Sequence, residues 1–106
     1  MIKSILILGT DACRSFELQD AILRARMDVE THVRQRSDDQ DWTGADLIFC
    51  TEDSPDLPML LDFVEQRKPA TRVVILDETA RTLPFSPVQV RSMIEGHLPG
   101  RLFLAA

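Results

Sequence analysis

Ser4-Ile5-Leu6-Ile7-Leu8-Gly9 is the stretch on which the fold turns. An unbroken apolar run stopped by glycine describes a strand covered on both faces, because a half-exposed strand alternates apolar and polar side chains. Two more runs of this kind follow, Ala45-Asp46-Leu47-Ile48-Phe49-Cys50 and Arg72-Val73-Val74-Ile75-Leu76. Val29, Thr31 and Val33 instead alternate with Glu30, His32 and Arg34, the pattern of a half-exposed strand at a sheet edge.

Helical spacing fills the intervals. Leu18, Ile22 and Ala25 fall at i, i+4 and i+7 and predict a helix over about 12–27. The polar segment from Ser37 to Gly44, with Asp38, Asp39 and Asp41, has room for a turn or one helical turn and none for a long crossover helix. Ser54 reads as a helix cap and Pro55 as the first helical residue, ahead of Leu57, Leu60, Leu61 and Val64. Ser86-Pro87 opens a last helix carrying Val90, Met93, Ile94 and His97/Leu98, and Pro99-Gly100 stops it. Buried strands alternating with helices imply an α/β domain, a mostly parallel sheet with helices on both faces.

The 106 residues fit a single domain with 44% apolar and 27% charged residues, enough apolar material for one core without disulfides or a structural metal. Twelve basic against seventeen acidic side chains give a net charge of -5, which argues against direct binding of nucleic acid or an anionic membrane. Apolar runs such as Ile5 to Leu8 are far too short to span a bilayer. No cleavable signal is visible, and two cysteines suit a reducing cytosol, so a cytoplasmic location is expected.

In this order of elements the chain resembles the receiver domain of bacterial response regulators, the flavodoxin-like module of two-component signalling. Lys3 to Leu8 sits like the family's first strand, Asp46 to Cys50 like the third, which leads to the phospho-accepting aspartate, and Val73 to Leu76 like the fourth. Leu83-Pro84-Phe85-Ser86-Pro87 is similar to the Lys-Pro-Phe segment that joins the fifth strand to the last helix. The resemblance implies a flavodoxin-like three-layer sandwich whose five-stranded sheet has the order 2-1-3-4-5. Residues 1–98 would form the receiver-like domain and 99–106 the start of a C-terminal linker or tail. Only residues 77–82 separate the fourth strand from Leu83, so the fourth helix is expected to be missing or reduced, and the second is expected to be short.

The departures from the family carry chemical weight. Where receivers hold a divalent cation with two acidic residues after the first strand, this chain has Gly9 and Thr10, and only Asp11 is acidic. The phospho-acceptor position falls on Thr51, the Ser/Thr after the fourth strand on Asp77, and the lysine that contacts the phosphoryl group on Leu83. Aspartyl phosphorylation needs a carboxylate nucleophile, a magnesium ion and a nearby cation. Thr51 is a poor nucleophile without a general base and Leu83 has no charge, so a degenerate pseudo-receiver is expected. A slip in register would bring Glu52 or Asp53 toward the acceptor position and keep an atypical phospho-accepting receiver open.

Other residues admit two readings each. Asp11, Glu52, Asp53 and Asp77 stand at the carboxyl ends of strands, where open parallel sheets bind ligands; they either form a residual cation site or cap the following helices. No cofactor and no metal is expected. Cys13 and Cys50 follow neighbouring strands and are read as separate packed thiols in preference to a redox pair. His32 is expected at the surface and His97 near a helix end, neither catalytic. Trp42 is either a surface anchor for a partner or a lid on its own core. Arg34, Arg36 and Arg14 are exposed arginines that would suit an anionic ligand if they converged.

The expected function is a non-catalytic regulatory module for protein interaction and dimerisation in a bacterial signalling or transcription regulator. A protein partner, in the first place a second copy of the chain, and an output domain in the same polypeptide are implied. Leu83, Pro84, Phe85 and Trp42 form the candidate interface. A ligand-binding flavodoxin-like domain is the remaining alternative.

Overall fold

The computed structural model describes residues 3–25, 28–67, 70–76, 90, 91 and 94, and the backbone of 101–104. Its strands are β1 (Ser4–Leu8), β2 (Glu30–Arg34), β3 (Leu47–Thr51), β4 (Arg72–Leu76) and β5 (Arg101–Leu104). They form one sheet in the order β2-β1-β3-β4-β5, with every neighbouring pair parallel. The expected α/β architecture and strand order are therefore present. β3 and β4 are buried along their whole length, whereas β2 alternates exposed and half-buried residues at the sheet edge.

Alternation along the strands divides the core into two layers. Ile5, Ile7, Leu47, Phe49, Val74 and Leu76 face helix α1 (Ala12–Arg24) through Leu18, Ala21 and Ile22. Leu6, Leu8, Ile48, Cys50, Val73 and Ile75 face the opposite way, toward Trp42 of helix α2 (Asp39–Thr43) and Leu60 and Val64 of helix α3 (Leu57–Arg67). Full burial of an aliphatic or aromatic side chain stabilises by about 1.5–3 kcal/mol, so these two layers hold the domain without a crosslink.

Local chemistry sets the ends of the helices. Asp11 caps α1, its carboxylate accepting from the Cys13 and Arg14 amides. Asp38 and Asp41 make a reciprocal capping box around α2, which is five residues long, the single turn expected there. α3 starts at Leu57, later than the Ser54 signal suggested: the Asp56 amide donates to Ser54 Oγ (3.3 Å) and the Leu57 amide to the Ser54 carbonyl (3.2 Å), making a turn ahead of the helix. At β1, Asp46 Oδ2 accepts from the Lys3 (2.9 Å) and Ser4 (3.1 Å) amides and so ties the start of that strand to the start of β3.

The C-terminal region differs from expectation. The segment read as the start of a linker supplies β5, whose backbone pairs with β4 from Val73↔Arg101 to Leu76↔Leu104. An open β4 edge would leave backbone donors and acceptors unpaired, and the short run Leu102-Phe103-Leu104 completes it. Residues 90, 91 and 94 are helical, as expected for the last helix opened by Ser86-Pro87, and β5 follows them in the chain; 77–82, where the fourth helix is expected to be missing or reduced, lie outside the described residues. Val90 and Ile94 are buried in the α1 layer, and the buried Arg72 guanidinium donates to the Ile94 carbonyl. Burial holds the Arg72 pKa below the ordinary guanidinium value. Among the described residues no helix is long and apolar enough to cross a membrane.

Candidate functional site

The loops after β1 and β3 meet at the carboxyl end of the sheet. Leu8 pairs with Cys50, so Gly9 and Thr51 are the next residues on neighbouring strands. The Gly9 amide donates to the Arg34 carbonyl (3.1 Å), which holds the loop down onto β2. A Cβ at Gly9 would stand 2.9 Å from Ser15 Oγ and 3.3 Å from Thr51 Cγ2. A side chain here would need the Ser15 hydroxyl to turn away and the Thr51 methyl group to give by a few tenths of an ångström, so the packing favours glycine at a position where the resemblance expects an acidic residue.

Thr51, which the resemblance sets at the phospho-acceptor position, is buried with its methyl group toward Gly9. Its hydroxyl is also buried and has no hydrogen-bond partner among the described residues. A hydroxyl in that state has neither a base to activate it nor solvent access to a phosphodonor. Beside it, Cys50 donates to the Thr51 carbonyl (3.5 Å), and burial pushes the thiol up to about 12. Cys13 is exposed on α1, so the structure does not bring the two thiols together as a redox pair.

The remaining acids at this end serve local structure. Asp11 Oδ1 accepts from the amides of Cys13 (3.0 Å) and Arg14 (3.3 Å). Thr10 Oγ1 donates to Asp53 Oδ2 (3.1 Å), linking the two loops across the rim. The Glu52 amide continues the ladder by donating to the Leu76 carbonyl (3.0 Å), while the Glu52 and Asp53 side chains face solvent. Among the described residues no group of three or more His, Cys, Asp or Glu side chains could hold a metal ion. Asp77, Leu83, Pro84, Phe85 and His97 lie outside the described residues. Leu83 was set against the family's lysine on the premise that it follows the fifth strand, whereas β5 comes after it in the chain.

The arginines do not converge. Arg14 pairs with Glu17, Arg34 donates to the carbonyl of Val33 (2.9 Å), and Arg36 grips Asp56 through Nε (3.2 and 3.1 Å) and a terminal nitrogen (3.0 Å). The same Asp56 carboxylate accepts from the Ser37 amide (3.1 Å), and the Arg36 bond holds its pKa below the usual carboxylate range. Asp56 thus clamps the segment leaving β2 to the turn before α3. The Ser54-Pro55-Asp56 pattern gave only a capping signal for this residue, and nothing nearby in sequence points to Arg36.

Trp42 is a core residue at 4% exposure, not a surface anchor. Its Nε1 donates to Ser37 Oγ (2.7 Å) and its ring packs edge-on against Phe63, with centroids 5.4 Å apart. His32 stands exposed on β2, 3.9 Å from Glu30. Among the described residues, the large apolar side chains that remain exposed are Phe16 and Leu23 on α1 and Met59 on α3.

No family model matches the sequence, and no curated protein matches it. Solved structures do. HP1043, an orphan response regulator of H. pylori, is 12% identical with a TM-score of 0.58, over 98% of this chain and 84% of that one. The signal receiver domain of an HD domain-containing protein from Pseudomonas fluorescens Pf-5 is 18% identical with a TM-score of 0.59, over 97% and 82%. A response regulator protein from Burkholderia multivorans is 17% identical with a TM-score of 0.58, over 100% and 86%. With the strand order β2-β1-β3-β4-β5 and the two-layered core, these likenesses establish that the chain has the fold of a response-regulator receiver domain.

Proposed function

We propose that this domain is a non-catalytic regulatory module that works by protein association, on a receiver scaffold without aspartyl phosphorylation. The observation that carries this reading is the packing of Gly9 against Ser15 Oγ and the Thr51 methyl group, which disfavours a metal-binding carboxylate at that position. The buried Thr51 hydroxyl, without an activating partner, supports it from the acceptor side. The module would act in a bacterial signalling or transcription regulator, as a homodimer and beside an output domain. Leu83-Pro84-Phe85 is its proposed contact segment, without the buried Trp42.

Incubation with magnesium and a small acyl phosphate, followed by intact mass, tests the chemistry. The expected result is an unchanged mass, and a stable gain of one phosphoryl group overturns the proposal. Sedimentation at high micromolar concentration tests the association: a dimer is expected, and a monomer removes the dimerisation role. A second reading has one observation in its favour. Asp53 is exposed at the carboxyl end of the sheet and bonded to Thr10, so a phosphoryl gain abolished by Asp53→Asn would assign it as an atypical acceptor.

A further inference from the structure

Helix α2 is one turn long, so it covers only part of the face that α3 turns toward it. A cavity of about 530 Å³ lies between the two helices. Its apolar floor is made by Trp42, Phe63 and Met59, and Met59 is 67% exposed. Met59 and Phe63 are one helical turn apart and present a single face of α3. Methionine at such a place is an adaptable contact surface, since its unbranched thioether reshapes around different partners.

The rim is acidic. Asp38, Asp39 and Asp62 line it, and neither Asp39 nor Asp62 forms an ion pair among the described residues. Asp38 accepts backbone amide bonds from Gln40 and Asp41, which leave its charge uncompensated. Asp56, which also lines the cavity, is neutralised by Arg36. Among the described residues the one rim cation is Arg67, which lies over the Phe63 ring at 5.7 Å.

We infer that the α2–α3 groove is the docking site for a basic amphipathic segment of a partner protein, with an apolar side chain seated on Met59 and Phe63 above the buried Trp42 and Lys or Arg side chains against Asp38, Asp39 and Asp62. Charge complementarity selects this occupant: the floor offers apolar contact to any peptide, but three carboxylates repel an acidic one and attract a basic one. The inference rests on the reading of the domain as an interaction module and gives that module a partner chemistry.

Trp42 is the sole tryptophan of the chain and reports on the groove directly. The test titrates the protein with a synthetic amphipathic Lys/Leu helix and with its Glu/Leu counterpart, following Trp42 fluorescence and backbone amide shifts. Expected are saturable binding of the Lys/Leu peptide alone and amide shifts clustered on α2 and α3. The double variant Asp39→Lys/Asp62→Lys should bind about tenfold more weakly, and Met59→Asp should weaken binding in the same direction. Leu23→Glu on α1 is the control and should bind as the parent does; circular dichroism confirms that each variant is folded. Amide shifts centred on another face, equal binding of both peptides, or undiminished binding by the folded Asp39/Asp62 variant overturns the inference. Peptide binding together with a phosphoryl gain would overturn the functional reading alone. No binding and no phosphoryl gain would overturn this inference alone.

Discussion

The carboxyl end of β1 and β3 and the groove between α2 and α3 are built on opposite plans. At the first, polar groups are turned inward and packed: Gly9 lies against Ser15 and Thr51, Ser15 is buried, and Thr51 hides its hydroxyl. At the second, apolar groups are turned outward and ringed by carboxylates. At the strand ends the residues nearest the sheet, Gly9 and Thr51, are packed, and only the loop acids Asp11, Glu52 and Asp53 beyond them are exposed, whereas the helical face exposes apolar groups. The difference teaches that accessible chemistry in this fold is set by how far a residue stands from the end of its strand.

The largest expected effect comes from forcing the closed end open. Gly9→Asp drives a carboxylate into Ser15 and Thr51, and unfolding by urea should show a loss of about 3 kcal/mol. Adding Ser15→Ala should return part of that loss, because Ser15 Oγ is the nearest obstacle at 2.9 Å. If Gly9→Asp is as stable as the parent, the closed end is not packed as described and the comparison fails.

Next in size is the Asp56 clamp that holds the groove's margin. Asp56→Asn should cost about 1.5 kcal/mol at neutral pH, held down by solvent screening of the exposed Arg36 guanidinium. The sign with pH follows from the depressed folded pKa of Asp56. Its contribution is complete above the unfolded carboxylate value of about 3.9 and is lost as pH falls through the folded value. Thermal unfolding curves of parent and variant should therefore converge in acid; a gap that stays constant to low pH would detach the clamp from the Asp56 charge.

Thr51→Val should raise stability by about 1 kcal/mol, since it removes a buried hydroxyl that bonds to nothing and keeps the shape. A loss would mean that the hydroxyl is satisfied. The smallest effect belongs to the groove: Asp39→Asn and Asp62→Asn should each leave stability within about 0.5 kcal/mol of the parent. A larger loss would make those acids structural and blunt the contrast between the two regions.

Much of the fold is legible in the sequence because it depends on patterns that neighbouring residues share. The unbroken runs at Ile5–Leu8, Leu47–Cys50 and Val73–Leu76 can only be strands covered on both faces, and the alternation around Thr31 and Val33 marks the edge. The polar segment before Ala45 is too short for a long helix, and α2 is accordingly one turn. β5 is less legible, because three apolar residues after Pro99-Gly100 read equally as a tail until an unpaired β4 edge is there to receive them. The Asp56–Arg36 clamp spans 20 residues and leaves no local signature. The departures from the receiver pattern at Gly9 and Thr51 are visible in the sequence, but not the packing around them. That Gly9 is kept small by Ser15, six residues on, follows only once α1 folds back over the loop.

That packing also fixes a direction of change. Placing a carboxylate at position 9 requires the Ser15 hydroxyl to move aside first. Taken alone, Gly9→Asp crowds that hydroxyl and the Thr51 methyl group, and Thr51→Asp buries a charge. Each single change is therefore expected to lower stability, so an acidic residue at position 9 would have to arrive together with a change at Ser15.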